Sequence, residues 1–578
     1  MSKTNKDLRK QLEIEITKAI KKARENGQLT EGDIPKFIIE EPADRSHGDI
    51  ATNVAMAGAK IFRTAPINAA KAICENLDLS KLLIDRYEIA GPGFINFFLS
   101  KEYFSSVIKE IERENENYGQ SDMGNGKKVM VEFVSANPTG PMHIGNARGG
   151  ALGDCLASVL SKAGYDVYRE FYVNDAGNQI EKFASSLEAR YIELFDPSYP
   201  FPEDGYQGED IIDHAKNFAK IHGDAFVKKE PSIRQKALVD FALPKNLDKM
   251  KKDMEKYRIH FDNWFMESTL HESKKVKSVV DLLTQKGLTY EKDGALWYKN
   301  KEVCTKILLS EGKTQDYIDK LEFKDDVLIR QNGNPTYFAA DIAYHKDKFD
   351  RGFDTCINIW GADHHGHVMR MKGAMHAIGY DKDKLHIVLM QLVKLTRNGE
   401  TVKMSKRTGK AIQLSDLLDE VPVDSARFLF NTKEANTQMD FDLDLAVAQD
   451  NQNPVYYVQY AHARICSILR AIEKDGISIR ECSVDELNKL NAKEEIELIH
   501  LLSSFDNEIE SAAKDYDPTK ITRYVTAVAT YFHKFYNACR VKCDDESLMQ
   551  ARLALCLCTK TVIKNVLSML SVTCPDSM

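Results

Sequence analysis

The sequence predicts an α/β protein whose main domain is a doubly wound, Rossmann-type parallel sheet. Two units of strand, glycine-containing loop and helix predict the sheet, one beginning near residue 128 and the other near residue 356. Helical periodicity after residue 414 predicts an all-α C-terminal bundle. The predicted organisation is a small N-terminal α/β domain at 1–113, a linker at 114–127, the sheet domain at 128–413 and the bundle at 414–578.

The N-terminal domain is predicted from alternating helix and strand patterns. We expect a short strand near 37–39, helices at about 50–62 and 67–77, a strand pair at 86–90 and 94–99, and a helix from Glu102. A long first helix is predicted from its apolar face, which comprises Leu8, Leu12, Ile16, Ala19, Ile20 and Ala23. Residues 114–127 are rich in Gly and Asn, as is typical of a linker.

The first unit of the sheet domain begins with the apolar run 129–134. Two prolines and a glycine at 138–141 end the strand, and a helical pattern starts near Asn146. The loop delivers His143 and Gly145 to the helix N-terminus, where free backbone N–H groups and the helix dipole attract phosphate. Gly145 has no side chain, so a phosphate or a base can approach its backbone closely. Taken alone, this pattern could equally open any α/β helix.

The second unit supplies the other half of the sheet. Buried-type residues 356–360 precede Gly361 and Asp363, and a helix is predicted to about residue 378. Asp363 then lies where it can bind a ribose hydroxyl. We expect further strands at 326–330, 336–345 and 385–394. Residues 188–322 are predicted to be a mostly helical insertion with one short sheet at 288–298 and no catalytic cluster.

Composition restricts the class of protein. With 43% hydrophobic and 29% charged residues the chain is typical of a globular protein, and no apolar run reaches the ~20 residues that span a bilayer. The N-terminus has no apolar segment typical of a secretory signal, so a cytoplasmic location is expected. The net charge of −8 gives no global sign of a nucleic-acid partner, although a local basic track can still bind phosphates.

The eleven cysteines contain no CxxC pair, and no Cys/His set has the spacing of a four-ligand site. We therefore expect reduced thiols, no zinc and no metal ligands in the protein, despite the close histidines 364, 365 and 367.

A basic segment far downstream favours a functional interpretation of the His143–Gly145 loop. Residues 394–410 hold six basic residues and one acid, and they include the run Lys403-Met404-Ser405-Lys406-Arg407. By itself such a run is usually a solvated loop. Together with His143-Ile144-Gly145-Asn146, it resembles the two signature motifs of class I aminoacyl-tRNA synthetases. Stretches over the whole chain, in the same order, resemble the bacterial type of arginyl-tRNA synthetase.

That resemblance implies ATP-dependent attachment of arginine to tRNA(Arg) through an adenylate, with Mg²⁺ accompanying ATP. His143, Asn146, Lys403 and Lys406 would be catalytic. The residues implied in ATP binding are His143, Gly145, Asn146, Gly361, Asp363, Met404 and Ser405. Position 146 is Asn where the family motif most often ends in His, and Asn can still donate a hydrogen bond. The resemblance also implies that adenylation waits for tRNA.

The resemblance likewise implies the residues that select arginine. A carboxylate can grip a guanidinium fork bidentately, which lysine cannot reproduce. Asp341 with Tyr337 matches the family's side-chain pocket, and Glu132, Ser135 and Asn137 match its α-amino end. Gln179 and His365 are weaker candidates for the rim. No editing domain is expected.

Two flanking regions resemble the family's tRNA-binding domains. Phe94 and Asn96 match the residues that touch the tRNA D-loop. In the C-terminal bundle the stretches at 457–464 and 535–541 resemble the anticodon-binding domain, and the implied contacts are Tyr460, Arg464, Asn537 and Arg540. A tyrosine stripe at helical spacing is nevertheless more often core. A monomer without a membrane or an obligatory protein partner is expected.

Three alternatives differ in class. A nucleotidylyltransferase without tRNA would lack the flanking domains, and a cysteinyl enzyme would have zinc-spaced cysteines. A non-catalytic RNA-binding relative would have no physical reason to keep His143, Lys403 and Lys406.

Overall fold

The computed structural model describes residues 3–42, 44–402 and 412–578. The N-terminal region is a four-stranded antiparallel sheet, in the order β1-β2-β4-β3, with helices packed on it. Its elements are Lys3–Glu25 (α1), Ile39–Glu40 (β1), Ile50–Thr52 (β2), Val54–Ala57 (α2), Ala59–Phe62 (α3), Pro66–Glu75 (α4), Ile84–Ala90 (β3), Phe94–Leu99 (β4) and Lys101–Glu114 (α5). The six apolar residues predicted on one face of α1 are all buried. The predicted helix at 50–62 is wrong at its start, because residues 50–52 pair with β4 instead.

The middle of the chain contains a five-stranded parallel sheet. Its strands lie in the order Leu385–Met390 (β12), Thr355–Gly361 (β11), Lys128–Glu132 (β5), Asp166–Val173 (β6) and Asn263–Met266 (β7). Its first half comprises Lys128–Glu132 (β5), Ile144–Lys162 (α6), Asp166–Val173 (β6), Asn178–Glu193 (α7), Glu209–His222 (α8), Pro231–Lys256 (α9) and Asn263–Met266 (β7). After β7 the chain returns to the centre and continues on the other side of β5. The predicted doubly wound topology is therefore confirmed, with the strand order reversing between β5 and β11.

Between β7 and β11 the chain forms a small antiparallel sheet, whose strands Asp326–Ile329 (β10), Ala295–Tyr298 (β9) and Thr289–Lys292 (β8) lie in that order. The second half of the parallel sheet comes after it in the sequence. The elements are Ser268–Glu272 (α10), Lys275–Gln285 (α11), Thr289–Lys292 (β8), Ala295–Tyr298 (β9), Asn300–Ser310 (α12), Gln315–Asp319 (α13), Asp326–Ile329 (β10), Tyr337–Asp350 (α14), Thr355–Gly361 (β11), His365–Ile378 (α15), Leu385–Met390 (β12), Val393–Arg397 (β13) and Glu400–Val402 (β14). The short sheet predicted at 288–298 is confirmed, and β10 completes it.

Three sequence expectations are corrected here. The predicted strand 336–345 is helix α14, because Thr336 caps it by accepting from Ala339 N–H and the apolar residues that follow are buried on helical spacing. The segment 326–330 pairs with β9 in the small antiparallel sheet instead of the parallel sheet. The predicted insertion contains β7, which is an edge strand of the parallel sheet.

The C-terminal region is helical apart from one strand, β15, which pairs with β13 in parallel. Its elements are Leu414–Glu420 (α16), Val423–Phe430 (α17), Met439–Asp442 (β15), Leu443–Val447 (α18), Pro454–Lys474 (α19), Val484–Leu487 (α20), Lys493–Ser503 (α21), Phe505–Asp515 (α22), Thr519–Ala538 (α23) and Glu546–Met569 (α24). The expectation of an all-helical region is therefore wrong at residues 439–442, which are held in place by β13.

Helix α6 is anchored to the C-terminal region by two buried charged side chains. Arg427 of α17 pairs with Asp154 of α6. Arg148, also fully buried, donates to the carbonyl oxygens of Gln391 at 2.9 Å and of Glu434 at 2.8 Å. The N-terminus of α6 is thus fixed relative to both the sheet and the C-terminal helices.

Candidate active site

The N-terminus of α6 lies at the carboxyl end of the central strand β5. His143 is the N-cap residue, and its backbone N–H donates to Asn146 Oδ1 at 2.9 Å. The side chain of Asn146 therefore closes the first turn of the helix. His143 and Gly145 are exposed, and a Cβ added to Gly145 would meet nothing within 4 Å. The helix end is open to a ligand on the side that the sequence predicts.

The loop before α6 leaves β5 through strained backbone. Val134 and Ser135 have φ of 71° and 45°, a region that residues other than glycine rarely adopt. The Ser135 hydroxyl donates to Glu132 Oε1 at 2.9 Å and accepts from Tyr172 N–H at 3.2 Å. Strain of this kind persists only where surrounding contacts fix it, and it is concentrated at functional sites.

A cavity of about 640 Å³ opens at the carboxyl ends of β5 and β11, where the strand order reverses. It brings together six of the predicted residues, namely Glu132, Ser135, Tyr337, Asp341, Gly361 and Asp363. Ligands of doubly wound sheets bind at this position. Arginine-binding and ATP-binding candidates therefore share one cavity.

Asp341 and Tyr337 project from the first turns of α14. Asp341 Oδ2 lies 3.2 Å from His367 Nε2, and the Asp341 side chain is 34% exposed. Tyr337 is 37% exposed and lines this cavity and a neighbouring one of about 390 Å³. His367 is a functional candidate that sequence reasoning missed, since it selected His365 from the same cluster.

The neighbouring cavity contains a second acid, Glu267, which is 3% exposed. Burial raises the pKa of this carboxyl, and the nearby charge of Asp341 raises it further. A cation bound between two such carboxylates would be stabilised by both. Nothing in the local sequence marked Glu267, because it follows the edge strand β7, which was not predicted.

The part of the cavity that contains the ATP-binding candidates is more exposed. Gly361 ends β11, and a Cβ there would lie 2.4 Å from Asp363 Oδ1, so a larger residue would require the Asp363 side chain to turn away. The Asp363 side chain is 81% exposed. Lys403, Met404, Ser405 and Lys406 lie outside the described residues. The chain returns beside α6, where Leu414 N–H donates to Met142 O at 2.9 Å.

Three predicted arginine-binding residues do not line the cavity. Asn137 and His365 are exposed outside it. The Gln179 side chain accepts a hydrogen bond from Tyr206 of the predicted insertion. Their predicted roles stay predictions.

Family models match almost the whole chain. "Arginyl tRNA synthetase N terminal domain" matches residues 10–99, "tRNA synthetases class I (R), catalytic domain" matches 107–466, and "DALR anticodon binding domain" matches 458–578. The arginine–tRNA ligase of Acetivibrio thermocellus is 53% identical over 581 residues, covering 100% of both chains. That of Caldanaerobacter subterraneus is 52% identical, covering 97% of both. The chain belongs to the arginyl-tRNA synthetase family.

Solved structures agree with this assignment. A putative arginyl-tRNA synthetase from Campylobacter jejuni superposes with a TM-score of 0.71 at 32% identity, over 83% of this chain and 100% of that one. The Thermus thermophilus arginyl-tRNA synthetase has a TM-score of 0.72 at 20% identity, over 99% of this chain and 100% of that one, which supports the fold.

A third cavity, of about 980 Å³, lies between α19 and α23, in the region matched by the anticodon-binding family model. All four C-terminal residues implied in tRNA binding line it: Tyr460, Arg464, Asn537 and Arg540. The Arg464 guanidinium lies over the rings of Tyr460 and Tyr536, at 4.8 and 5.0 Å from their centroids. Aromatic faces beside arginines are a typical platform for unpaired bases.

The N-terminal tRNA candidates differ in exposure. Phe94 is half-buried at the start of β4, whereas Asn96 is 5% exposed between β2 and β3. The exposed part of the Phe94 ring can contact a ligand. The predicted contact through Asn96 stays a prediction.

The described residues include one group with metal-ligand chemistry. His462, Cys466 and Asp576 have ligand atoms within 4.8 Å of one another. Each already has a partner, since Cys466 Sγ–H donates to Asp576 Oδ1 at 3.2 Å and His462 Nδ1–H to Pro575 O at 3.0 Å. These contacts tie the C-terminal tail to α19, and the prediction of no metal site stays a prediction.

All eleven cysteines are free, as expected. Among the described helices, none combines the length and apolarity required for a transmembrane segment.

Proposed function

We propose that this chain joins L-arginine to tRNA(Arg) at the expense of ATP. A carboxylate oxygen of arginine attacks the α-phosphorus of ATP, the bond to the β-phosphate oxygen breaks, and pyrophosphate leaves. The 2′-hydroxyl of the terminal tRNA ribose then attacks the carbonyl carbon of arginyl-adenylate, and AMP leaves. The acid-lined cavity beside a helix N-terminus, at the strand-order reversal, is the observation that carries this proposal.

Arginine is proposed to lie with its guanidinium toward Asp341, Tyr337 and Glu267. Asp341 and Glu267 line adjoining cavities that share Tyr337, and two such carboxylates suit a planar cation with forked donors. Asp341 keeps one third of its side-chain surface available. The α-amino group would lie toward Glu132 and Ser135 at the end of β5. Asn137, Gln179 and His365 are proposed to act at the rim once substrate is bound.

ATP is proposed to lie across the ends of β5 and β11, and to enter as its Mg²⁺ complex. The backbone N–H groups at the start of α6, with His143, Gly145 and Asn146, would bind its phosphates. Gly361 and Asp363 would receive the ribose, which the exposure of Asp363 supports. Met404 and Ser405 complete the proposed nucleotide contacts.

Catalysis in this arrangement needs no nucleophilic side chain. Negative charge grows on the phosphate oxygens and on the leaving pyrophosphate, so fixed donors and cations lower the barrier. His143 and Asn146 would stabilise the α-phosphate from the helix end. Lys403 and Lys406 would stabilise the departing pyrophosphate.

Two regions are proposed to bind tRNA: the region 1–113, which the linker 114–127 joins to the catalytic region 128–413, and the region 414–578, which follows the catalytic region directly. Tyr460, Arg464, Asn537 and Arg540 would hold anticodon bases, as the large aromatic and basic cavity supports. Phe94 and Asn96 would contact the body of the tRNA. We also propose that the enzyme acts as a cytoplasmic monomer.

Exchange of labelled pyrophosphate into ATP tests the proposal. We expect exchange with arginine and with none of the other nineteen amino acids, and the resemblance predicts that it needs tRNA(Arg). Exchange with a different amino acid would overturn the pocket assignment. Folded protein that gives no exchange with or without tRNA would overturn the enzymatic proposal.

A further inference from the structure

A buried chain of polar side chains runs behind the wall of the cavity that faces arginine. Lys348 of α14 is 0% exposed, and its Nζ donates to Glu132 Oε2 at 2.5 Å and to Asn358 Oδ1 at 2.9 Å. Lysine is almost never fully buried without a partner, because desolvating its charge is costly. A lysine buried here therefore has to be held by these two acceptors.

The chain continues to the other wall of the cavity. Asn358 of β11 is 0% exposed, and its Nδ2 donates to His345 Nε2 at 2.7 Å. The Nδ1–H of His345 then donates to the backbone oxygen of Asp341 at 2.8 Å. Burial and the charge of Lys348 lower the pKa of His345 well below its usual value, so the ring is neutral and has one donor and one acceptor.

We call the hydrogen-bonded chain Lys348–Asn358–His345 the relay. It connects the two acids, Glu132 and Asp341, that are proposed to hold the two cationic ends of arginine. Glu132 has Oε2 on Lys348 and Oε1 on Ser135, so its carboxylate is fixed in orientation. The backbone oxygen of Asp341 accepts from His345 one turn further along α14, and the Asp341 carboxylate lies 3.2 Å from His367. Lys348 and Asn358 therefore hold Glu132 from behind the cavity, and His345, which lines the cavity, links them to the turn of α14 that carries Asp341. The sequence singled out none of these three residues as a site residue.

We propose that Lys348 and His345 are positioning residues that set the length of the amino-acid site, and so select arginine over guanidino or amino homologues of different chain length. This inference rests on the proposed function of the cavity. Its physical basis is that a site with fixed donors and acceptors rejects a mismatched ligand by leaving buried polar groups unpaired. Without these hydrogen bonds Glu132 would be free to reorient, and the cavity would accept amino acids with side chains of other lengths.

The test compares Lys348→Met with Lys346→Met in the full chain, with tRNA present. Lys346 lies on the same helix and pairs with Asp350 at 2.6 Å on its partly exposed side, which makes it a matched control. In Lys348→Met we expect KM for arginine to rise by about 10- to 100-fold, the value of a hydrogen bond to a charged group. KM for ATP should change by less than about twofold. Discrimination of arginine from homoarginine should fall in parallel. Lys346→Met should behave as the wild type.

The arginine and ATP readouts separate positioning from a general loss of structure, which would change both KM values and the unfolding temperature together. If Lys348→Met does not fold, Asn358→Asp tests the same relay from its centre. The new carboxylate has the same shape but draws Lys348 away from Glu132, so the same selective change in arginine KM is expected. A folded variant with wild-type arginine KM and wild-type homoarginine discrimination would overturn the inference. Wild-type protein without arginine-dependent exchange would instead overturn the proposed function.

Discussion

The two halves of the proposed active site differ in how firmly their side chains are held before substrate arrives. On the arginine side, Glu132 pairs with Lys348. Behind the cavity Glu170, which lies opposite Glu132 on the neighbouring strand β6, pairs with Arg351 at 2.7 Å through both carboxylate oxygens. On the nucleotide side, His143 and Asp363 are exposed. Selection among amino acids requires fixed distances between charges. Phosphates can be bound by backbone N–H groups at a helix end, which the fold itself supplies.

The firmness of the arginine side can be tested by removing one of its buried charges. Arg351→Met leaves Glu170, which is 0% exposed, without its bidentate partner. We expect a loss of about 3–5 kcal/mol in the free energy of unfolding, measured by urea denaturation. Lys236→Ala, which breaks an exposed pair with Asp240 on α9, should change stability by less than about 0.5 kcal/mol. Equal effects of the two variants would contradict the distinction between a buried framework and a solvated surface.

The nucleotide side should show the opposite pattern, in which a substitution damages activity and spares stability. His143→Ala removes an exposed imidazole at the proposed phosphate site while leaving the Asn146 cap on the backbone intact. We expect kcat for pyrophosphate exchange to fall by about 10²–10³. The unfolding temperature should stay close to that of the wild type, because the side chain is exposed. Activity within about threefold of the wild type would exclude His143 from the proposed role.

Asp341→Asn tests the specificity of the proposed arginine pocket, because it keeps the shape of the side chain and removes its negative charge. KM for arginine is expected to rise by about 10- to 150-fold, because a hydrogen bond to a charged group is lost, while KM for ATP is retained. His367, 3.2 Å from Asp341, would lose its acidic partner without unfolding the helix. Steady-state kinetics with each substrate varied separately measures the split. A rise in both KM values would show that the two halves are not independent.

Lowering the pH should lower the free energy of unfolding, because His345 is buried on the arginine side of the cavity. The pKa of His345 is lowered by burial, so below about pH 6.5 the unfolded chain takes up a proton that the folded chain does not. Stability from the neutral ring is present above that pH and is lost as the pH falls. The stability that the neutral ring contributes should therefore fall between pH 7 and pH 5. The difference in free energy of unfolding between wild type and His345→Gln should shrink over this range, and a pH-independent difference would contradict the expectation.

The sequence was sufficient to predict the sheet and its central crossover, because strand, breaker and helix signals follow one another directly around His143. It failed where pairing partners are distant. Residues 336–345 have aromatic and Thr residues that favour a strand, yet Thr336 caps a helix and tertiary burial decides. The strand β7 has only four residues, and its hydrogen-bond partner β6 lies about ninety residues earlier in the chain.

The same limit applied to the site. Asp341, Tyr337 and Glu132 were found because they fall in stretches with a recognisable family pattern. Glu267, His367 and Lys348 were missed because their importance comes from burial and from partners on other elements. A buried lysine has no local signature, since its sequence neighbours on α14 do not reveal that Glu132 and Asn358 surround its ammonium group.

Equilibrium dialysis of labelled arginine against the full chain, without ATP, tests the central claim that the amino-acid side is formed in advance. We predict saturable binding of one arginine per chain that excess lysine does not displace, and weaker binding to Asp341→Asn. Binding that appears only when ATP is added, or that lysine displaces as well as arginine does, would contradict a preformed site with the length and charge of arginine.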